Sequence, residues 1–494
     1  MAKSLRLSTG TPACLGLCAA VLSACAVGPN FHPPAVPPDK SYGPAQQALP
    51  AAIGSGNDTQ HLVADLKIPD QWWALFQSPK LNQLVEEALR GNPDVDAAKA
   101  ALRQAHELYL AQVTNLLPTV AGGFSGTRAK TPVATITPTT VAPDPTFNLY
   151  TAQLTVSYLP DIFGGTRRAN EAAKAAEQAN RFQLEATYLS LSSNVVVTAI
   201  QEASLRGQID ATNRLLQLQQ QLLDAVQRQR AAGTASELDL LTQRAALAQT
   251  AATLPPLRKQ LGQTRDQLTA LLGRLPEHTP REEFALSDLT LPQQLPLSIP
   301  GALVAQRPDV RVAQENLHAA SAQVGVALAN MLPQFSIDGA LGSSALQIGD
   351  LFGPYTGFWS LGGSLSQTLF DSGALLHRKR AADAALDQAA AQYRAAVILA
   401  CQNVADSLQA LQEDAAALSA NATASTAAAQ TLDLARRQHA LGTVSTTAVI
   451  ADEQSFQQAQ INLVQAQANR YADTAGLFQA LGGGWWTREG AAGQ

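Results

Sequence analysis

A chain of 494 residues, 46% hydrophobic and 15% charged, can bury a sizeable core, and its length alone suggests about three domains. Its formal net charge of −5 argues against a nucleic-acid binder, which would call for a clustered basic surface. Of its four cysteines, Cys14, Cys18 and Cys25 crowd the N-terminus and Cys401 stands alone, which excludes a disulfide-built fold.

The first element is an apolar run from about Pro12 to Ala24, roughly 13 residues, too short for a spanning helix, which needs about 20. Lys3 and Arg6 stand before it and small residues after it, so residues 1–24 read as a secretory signal. Leu22-Ser23-Ala24-Cys25 looks like a bacterial lipobox, where the signal is cut before the cysteine and acyl chains are attached to it. Ala26 is not the aspartate that marks inner-membrane retention in lipoproteins, which points to the outer membrane. Removing the signal leaves 494 − 24 = 470 residues and a formal charge of 32 − 39 = −7. The segment 25–78 that follows reads as lipidated and extended.

Beyond it the chain contains itself twice. "RGNPDVDAAKAALRQA" (Arg90–Ala105) is echoed by "AQRPDVRVAQENLHAA" (Ala305–Ala320), and Pro93 pairs with Pro308 at 308 − 93 = 215. "LLPTV" (Leu116–Val120) is echoed by "MLPQF" (Met331–Phe335), where 333 − 118 is again 215. "QRAAGTAS" (Gln229–Ser236) is echoed by "QHALGTVS" (Gln438–Ser445) at 442 − 233 = 209. A spacing of about 210 residues is too long for a solenoid repeat, so each unit is a substantial assembly.

In each unit a helical pattern comes first, from Pro93 to Leu117 in unit one, and Pro118 closes it. The period then becomes two. Tyr150, Ala152, Leu154, Val156 and Tyr158 face one way, and Thr151, Gln153, Thr155 and Ser157 the other. Phe335, Ile337 and Leu341, then Trp359, Leu361 and Leu365, alternate likewise in unit two, predicting four strands with one apolar and one polar face. Long helices follow, Thr166 to about Ala232 and Ser372 to Leu441, with one glycine each, each on the order of 100 Å long. Both stop at Gly-Thr, and Ser236 or Ser445 caps a returning helix, the first interrupted at Pro255-Pro256.

The strands admit two readings. They could form a small soluble sheet on helices, or they could be membrane-barrel strands, which run to about 9–11 residues. Four strands cannot close a barrel, since the smallest bacterial ones have about eight, so the membrane reading requires eight strands from a dimer or twelve from a trimer. "TPVATITPTTVAPDP" (Thr131–Pro145) and "IGDLFGPYTG" (Ile348–Gly357) suit exposed joining loops.

"DQWWALFQSPKLNQLVEEALRGNPDV" (Asp70–Val95), the two Gly-Thr-x-Ser tips, "LFDSG" (Leu369–Gly373) and "ALGGGW" (Ala480–Trp485) resemble the outer-membrane efflux proteins, the TolC-like family, in its lipoprotein branch. The resemblance covers nearly the whole chain after Cys25. It implies a mixed fold, a membrane β-barrel plus a long α-helical barrel, completed as a homotrimer with twelve strands and twelve helical rods. The first repeat would span 79–300, the second 301–484 and a tail 485–494, with Leu275–Pro300 and the tail forming an equatorial collar. The protein would be a passive conduit of a tripartite efflux system, lipid-anchored in the outer membrane and reaching into the periplasm. Its partners would be a periplasmic adaptor and an inner-membrane pump, and it would need no cofactor beyond the lipid on Cys25.

Gly233, Thr234, Ser236, Gly442, Thr443 and Ser445 are the expected adaptor-docking tips. Where the family carries an acidic tip ring this chain has Ala451, with Asp452 beside it, and Thr446-Thr447 replace the usual Tyr-Leu; a weaker or shifted constriction at Asp452 is expected. Arg167, Arg168, Arg378, Lys379 and Arg380 gather at helix starts, where cations are unfavourable; they read either as an ordinary solvated face or as lipid headgroup contacts that would offset that cost. Trp72, Trp73, Trp485 and Trp486 suit packing in the collar.

Catalytic patterns are absent from the sequence: no His-x-x-x-His pair, no Gly-x-Ser-x-Gly elbow and no phosphate loop. Two methionines argue against a thioether metal relay. The competing reading is a lipid-anchored periplasmic coiled-coil adaptor, but adaptors carry one hairpin where this chain has two.

Overall fold

The computed structural model describes residues 26–35, 38, 41, 52–53, 59–64, 66–130, 146–278, 284–298 and 300–487. The signal 1–24, Cys25 and the joining loop Thr131–Pro145 lie outside the described residues.

Short strands β1 (Ala52–Ile53) and β2 (Gln60–Ala64) precede helices α1 (Pro79–Gly91) and α2 (Pro93–Thr114). Strands β3 (Thr119–Lys130) and β4 (Thr146–Tyr158) lead into α3 (Gly165–Ala231) and α4 (Glu237–Leu271). After β5 (Gln294–Leu297) and α5 (Pro300–Gln306) come α6 (Pro308–Ala329), β6 (Gln334–Ala345), β7 (Gly357–Ser366), α7 (Ala374–Ala440) and α8 (Thr446–Ala480). Matching helices have matching lengths: 22 residues for α2 and α6, 67 for α3 and α7, 35 for α4 and α8. Prolines open α1, α2 and α6, where a missing N–H costs nothing. Ser78 caps α1 by accepting from the Leu81 N–H at 3.3 Å.

One expectation fails. Helix α4 is continuous through Pro255 and Pro256 instead of breaking there. The carbonyls that lose their donors belong to Ala251 and Ala252, and both residues are exposed, so water replaces the missing bonds. Leu240, Ala246 and Leu254 before the prolines and Thr264 and Leu268 after them stay buried on one face, which holds the helix together across the gap.

The chain divides into two compact units, each drawing on both sequence repeats. One contains the antiparallel sheet in the order β3-β4-β6-β7, with the adjoining parts of α2, α3, α6 and α7. Its central pairing, β4 with β6, sets Leu154 opposite Leu341 and joins the two halves of the sequence.

The other unit holds a three-stranded sheet, β1-β2-β5, in which β2 runs antiparallel to β1 and parallel to β5. Its core stacks Trp72 on Phe478 with ring centroids 5.5 Å apart, beside Phe76, Leu81 and Leu303. Trp485 donates its Nε1–H to the Gln306 carbonyl at 2.7 Å and meets Phe182 edge-on. The three glycines before it all have positive φ, and a Cβ at Gly484 would lie 2.4 Å from the Pro69 carbonyl oxygen, so "LGGGW" marks a tight crossing that only glycine permits. Gly207, the interior glycine of α3, brings that helix against Val464 of α8; a Cβ there would sit 3.0 Å from the valine methyl. Buried Arg470 donates to the backbone carbonyls of Leu411 and Ile53, tying α7 and β1 to α8. Near it, burial and then the Asp473 carboxyl push Asp414 up to about 7, against the pull of Arg470.

Two outcomes follow. Replacing Pro255 and Pro256 with alanine restores two donors and raises the thermal midpoint of purified protein, by about 1–3 kcal/mol in stability; a lower midpoint would mean the prolines serve the fold. Because the Asp414 carboxyl is raised in the folded state, its contribution is full below its ordinary 3.8 and is lost as pH climbs through about 7. Asp414→Asn is then more stable than wild type at pH 8, by on the order of 1 kcal/mol after solvent screening, and equal to it near pH 4, read by melting curves.

Candidate functional site

Register places most large apolar side chains of the four-stranded sheet on one face, with Phe147, Leu149 and Phe358 on the other. Val120, Val156 and Leu361 align across it with Gly339, and Leu154, Leu341 and Trp359 form a neighbouring row. This face is bare: Leu341 is 64% and Trp359 78% exposed. Such a patch is far more than a soluble surface carries without a partner. Away from those three residues the opposite face is polar and cross-bonded. Thr151 and Ser344 hydroxyls lie 3.0 Å apart, Ser157 donates to Asp338 at 2.8 Å, and Ser336 meets Ser364 at 2.8 Å. Apolar on one side and hydroxyl-lined on the other is what a barrel wall between lipid and water requires. Among the described residues strands β3 and β7 each have one neighbour, so both edges are open there.

Below the sheet, the segment following Cys25 is pinned. Val27 N–H donates to the Phe163 carbonyl at 3.0 Å, and the buried Arg168 reaches the Val27 and Gly28 carbonyls and the Asn30 side chain. Phe31 stacks on His318 at 4.3 Å, and His318 Nε2 lies 2.9 Å from Glu171. Burial alone would raise Glu171, but the bonds from Arg168 and His318 outweigh it and hold the carboxyl below its usual range. Arg168 therefore faces protein where lipid headgroups were expected. Arg167 pairs with Asp161 at 3.2 Å, and that carboxylate also accepts from the Thr166 and Arg167 N–H groups, which relieves the misplaced cation at the helix start. Lys379 pairs with Asp383 at 2.6 Å, while Arg378 and Arg380 are exposed.

The hairpin tips are built alike. Gly233 and Gly442 both have φ of 77°, and a Cβ on either would meet nothing within 4 Å, so conformation alone demands glycine there. Thr234 and Thr443 each donate their hydroxyls to the carbonyl five residues back, Gln229 and Gln438, at 2.9 Å. Ser236 forms a capping box with Asp239, and Ser445 accepts from the Ala448 N–H at 3.3 Å. All six tip residues are exposed.

Behind the tips the hairpins differ. Leu223, Val226 and Leu240 close the first, with Gln243 buried and donating to the Gln219 carbonyl at 3.0 Å. Leu432, Ala435 and Val449 close the second, with Leu222 and Phe456 packed on them. Asp452 is half-buried, and the deeply buried acid is its neighbour Glu453, 3.0 Å from Arg436. Burial lifts the Glu453 carboxyl above its ordinary range despite that guanidinium. Sequence reasoning missed this pair, although Val449, Glu453 and Phe456 share one 4–3 stripe in which an acid is out of place. Among the described residues no cluster could hold a metal, and no helix is long and apolar enough to cross a membrane.

The family model for outer membrane efflux proteins matches residues 84–274 and 299–483. The pyoverdine export outer membrane protein OpmQ of Pseudomonas putida is 30% identical over 422 residues, covering 85% of this chain and 89% of that one. The probable outer membrane lipoprotein SilC of Salmonella typhimurium is 25% identical over 478 residues, covering 94% and 97%. The solved outer-membrane channel OprN superposes with a TM-score of 0.82 at 28% identity, covering 93% of this chain and all of that one.

Ionising Glu453 opposes folding, so its contribution is full below its ordinary 4.5 and is lost as pH rises through its raised value. Glu453→Gln is expected to melt above wild type at neutral pH, with the difference shrinking to nothing toward pH 4. Arg436→Ala strands a buried charge and costs about 3–5 kcal/mol at neutral pH. A pH-independent difference for Glu453→Gln would show that the carboxyl is not raised.

Proposed function

The chain belongs to the outer membrane efflux protein family, and on that premise we propose that three copies build one conduit, a twelve-strand β-barrel continued by a twelve-helix α-barrel. It is an efflux channel of the outer membrane, and its family are transport proteins rather than enzymes. The observation that carries the trimeric reading is the sheet itself, with one bare apolar face, one hydroxyl-lined face and two unpaired edges. Repeats 79–300 and 301–484 each supply two strands and one long hairpin to the shared walls. Residues 25–78 and 485–494 flank them.

Cys25 would carry acyl chains, and the clamped segment after it would hold that anchor beside the strand ends. The name of SilC, a probable outer membrane lipoprotein, supports this assignment. Cargo would arrive from an inner-membrane pump through a periplasmic adaptor seated on Gly233, Thr234, Ser236, Gly442, Thr443 and Ser445. Exposed tip turns on two hairpins suit that role; an adaptor of its own kind would have one hairpin and no bare sheet. Arg378 and Arg380 remain as the side chains placed to meet anionic headgroups.

The purified protein is expected to run as a heat-modifiable trimer from the outer-membrane fraction and to form small, mostly closed channels in planar bilayers. A water-soluble monomer would end the reading. Asp452→Ala is expected to change conductance little, because the residue is half-buried; a several-fold rise in open current would make Asp452 the constriction.

A further inference from the structure

Three large apolar side chains break the pattern of the sheet's polar face. Ladder register puts Phe147, Leu149 and Phe358 there, on the side of the Thr151 and Ser344 hydroxyls. The other side chains of the four strands on that face are Gly, Ala, Ser, Thr and Gln, apart from Asp338. Phe147 and Leu149 are 38% and 37% exposed, and Phe358 is half-buried. All three lie toward the joining-loop end of the sheet, away from the long helices.

Two of them hold one place in the duplicated fold. Leu149 pairs with Thr127, and Phe358 with Gly342. Phe358 follows Leu149 by 358 − 149 = 209, the spacing of the two tip glycines. Gly342 follows Thr127 by 342 − 127 = 215, the spacing of Pro118 and Pro333. Both members of the pair therefore match under offsets set elsewhere in the chain. The repeats keep a large apolar side chain here and vary the residue opposite. Gly342 makes room for the larger one, since a Cβ on it would lie 2.9 Å from the Phe358 ring.

Charge on this face is just as sparse. Among the described residues Asp338 is its only charged side chain, exposed and held by the Ser157 and Ser336 hydroxyls at 2.8 and 2.7 Å. It lies four residues before Gly342, so the carboxylate and the Phe358 row stand about 13 Å apart along the strand. Aromatic girdles of membrane barrels face outward to lipid. This group faces the hydroxyl-lined side, where contact with water costs free energy until an apolar surface covers it.

We infer that Phe147, Leu149 and Phe358, together with Asp338, form a contact site in the bore for organic cations that carry an aromatic body. The inference rests on the conduit reading above, in which the polar face lines the bore, and adds a cargo class and the residues that meet it. The cationic end pairs with Asp338, and the body extends past Ser360, which lies between the two rows, to the apolar group. In a wall built from several copies Leu149 and Phe358 recur around the bore, so the site is a belt. Anions with the same body are repelled by the carboxylates, and small hydrated cations offer nothing to cover the rings.

The test uses the full-length trimer in outer-membrane vesicles, with Cys401→Ser and with Ser360→Cys as a reporter between acid and belt. The rate of N-ethylmaleimide addition is read by intact mass. Propidium, an aromatic cation, is expected to slow the addition at least fivefold. Tetraethylammonium, which lacks the rings, and naphthalenedisulfonate, which lacks the positive charge, should not. Protection should fall below twofold in Phe358→Ser and in Asp338→Asn, and persist in Trp359→Phe on the outward face. If Ser360→Cys reacts freely but propidium gives no protection, or the disulfonate protects equally, the site is wrong and the conduit stands. Protection that survives either Phe358→Ser or Asp338→Asn overturns it equally. Should Phe358→Ser fail to assemble, Asp338→Asn decides. A Ser360→Cys that never reacts, where Trp359→Cys does, would put the polar face away from water and overturn the conduit reading as well.

Discussion

Unpaired backbone at the edges of β3 and β7 is the constraint on which the rest of the structure depends. Each unbonded N–H or C=O in hydrocarbon costs several kcal/mol, so a sheet whose one face is bare and apolar cannot end in lipid at either side. Water could satisfy the edges, but then Trp359, Leu341 and their neighbours would face it too. The closed wall shared among copies that we propose would satisfy both the edges and the face. In that arrangement the polar face, with its hydroxyl ladder and Asp338, would line a bore.

That constraint explains the economy of the helical part. Alanine-rich helices of 67 residues, with glycine in their interior only at Gly207, are not apolar enough to cross a membrane; they provide reach and close lateral contact. Specific contacts are concentrated where rods must turn or meet other chain: the αL glycines and threonine hydroxyls at the tips, Gly207 against Val464, and Arg470 bridging two backbones. The buried polar groups behind the two tips differ. Next to the tip the first hairpin buries amides and the second an ion pair, so two tips of one outward geometry differ in how they respond to pH.

Legibility in the sequence followed the range of the forces involved. Period-two alternation revealed the strands around Leu154, Ile337 and Leu361, since a half-buried strand writes its faces into every second residue. Glycine, threonine and serine revealed the tips because capping is local. The Pro255-Pro256 pair misled for the complementary reason: the local penalty was read correctly, but exposed carbonyls and a buried stripe on both sides overcame it. Strand β2 could not be read at all, because its pairing with β5 joins residues more than two hundred apart. The basic residues at the helix starts were visible as charge, but not as a clamp; Arg168 is turned inward by Asn30 and Glu171, which lie on different elements.

By itself the sequence determined the elements, their duplication at about 210 residues and the two-faced character of the strands, because periodicity and capping act within a few residues of chain. Only the tertiary structure decided which strands are neighbours, which acid is buried behind the tip, and what Arg168 and Arg470 hold. Those outcomes depend on burial and on partners distant in sequence, and no local pattern encodes the dielectric around a charge.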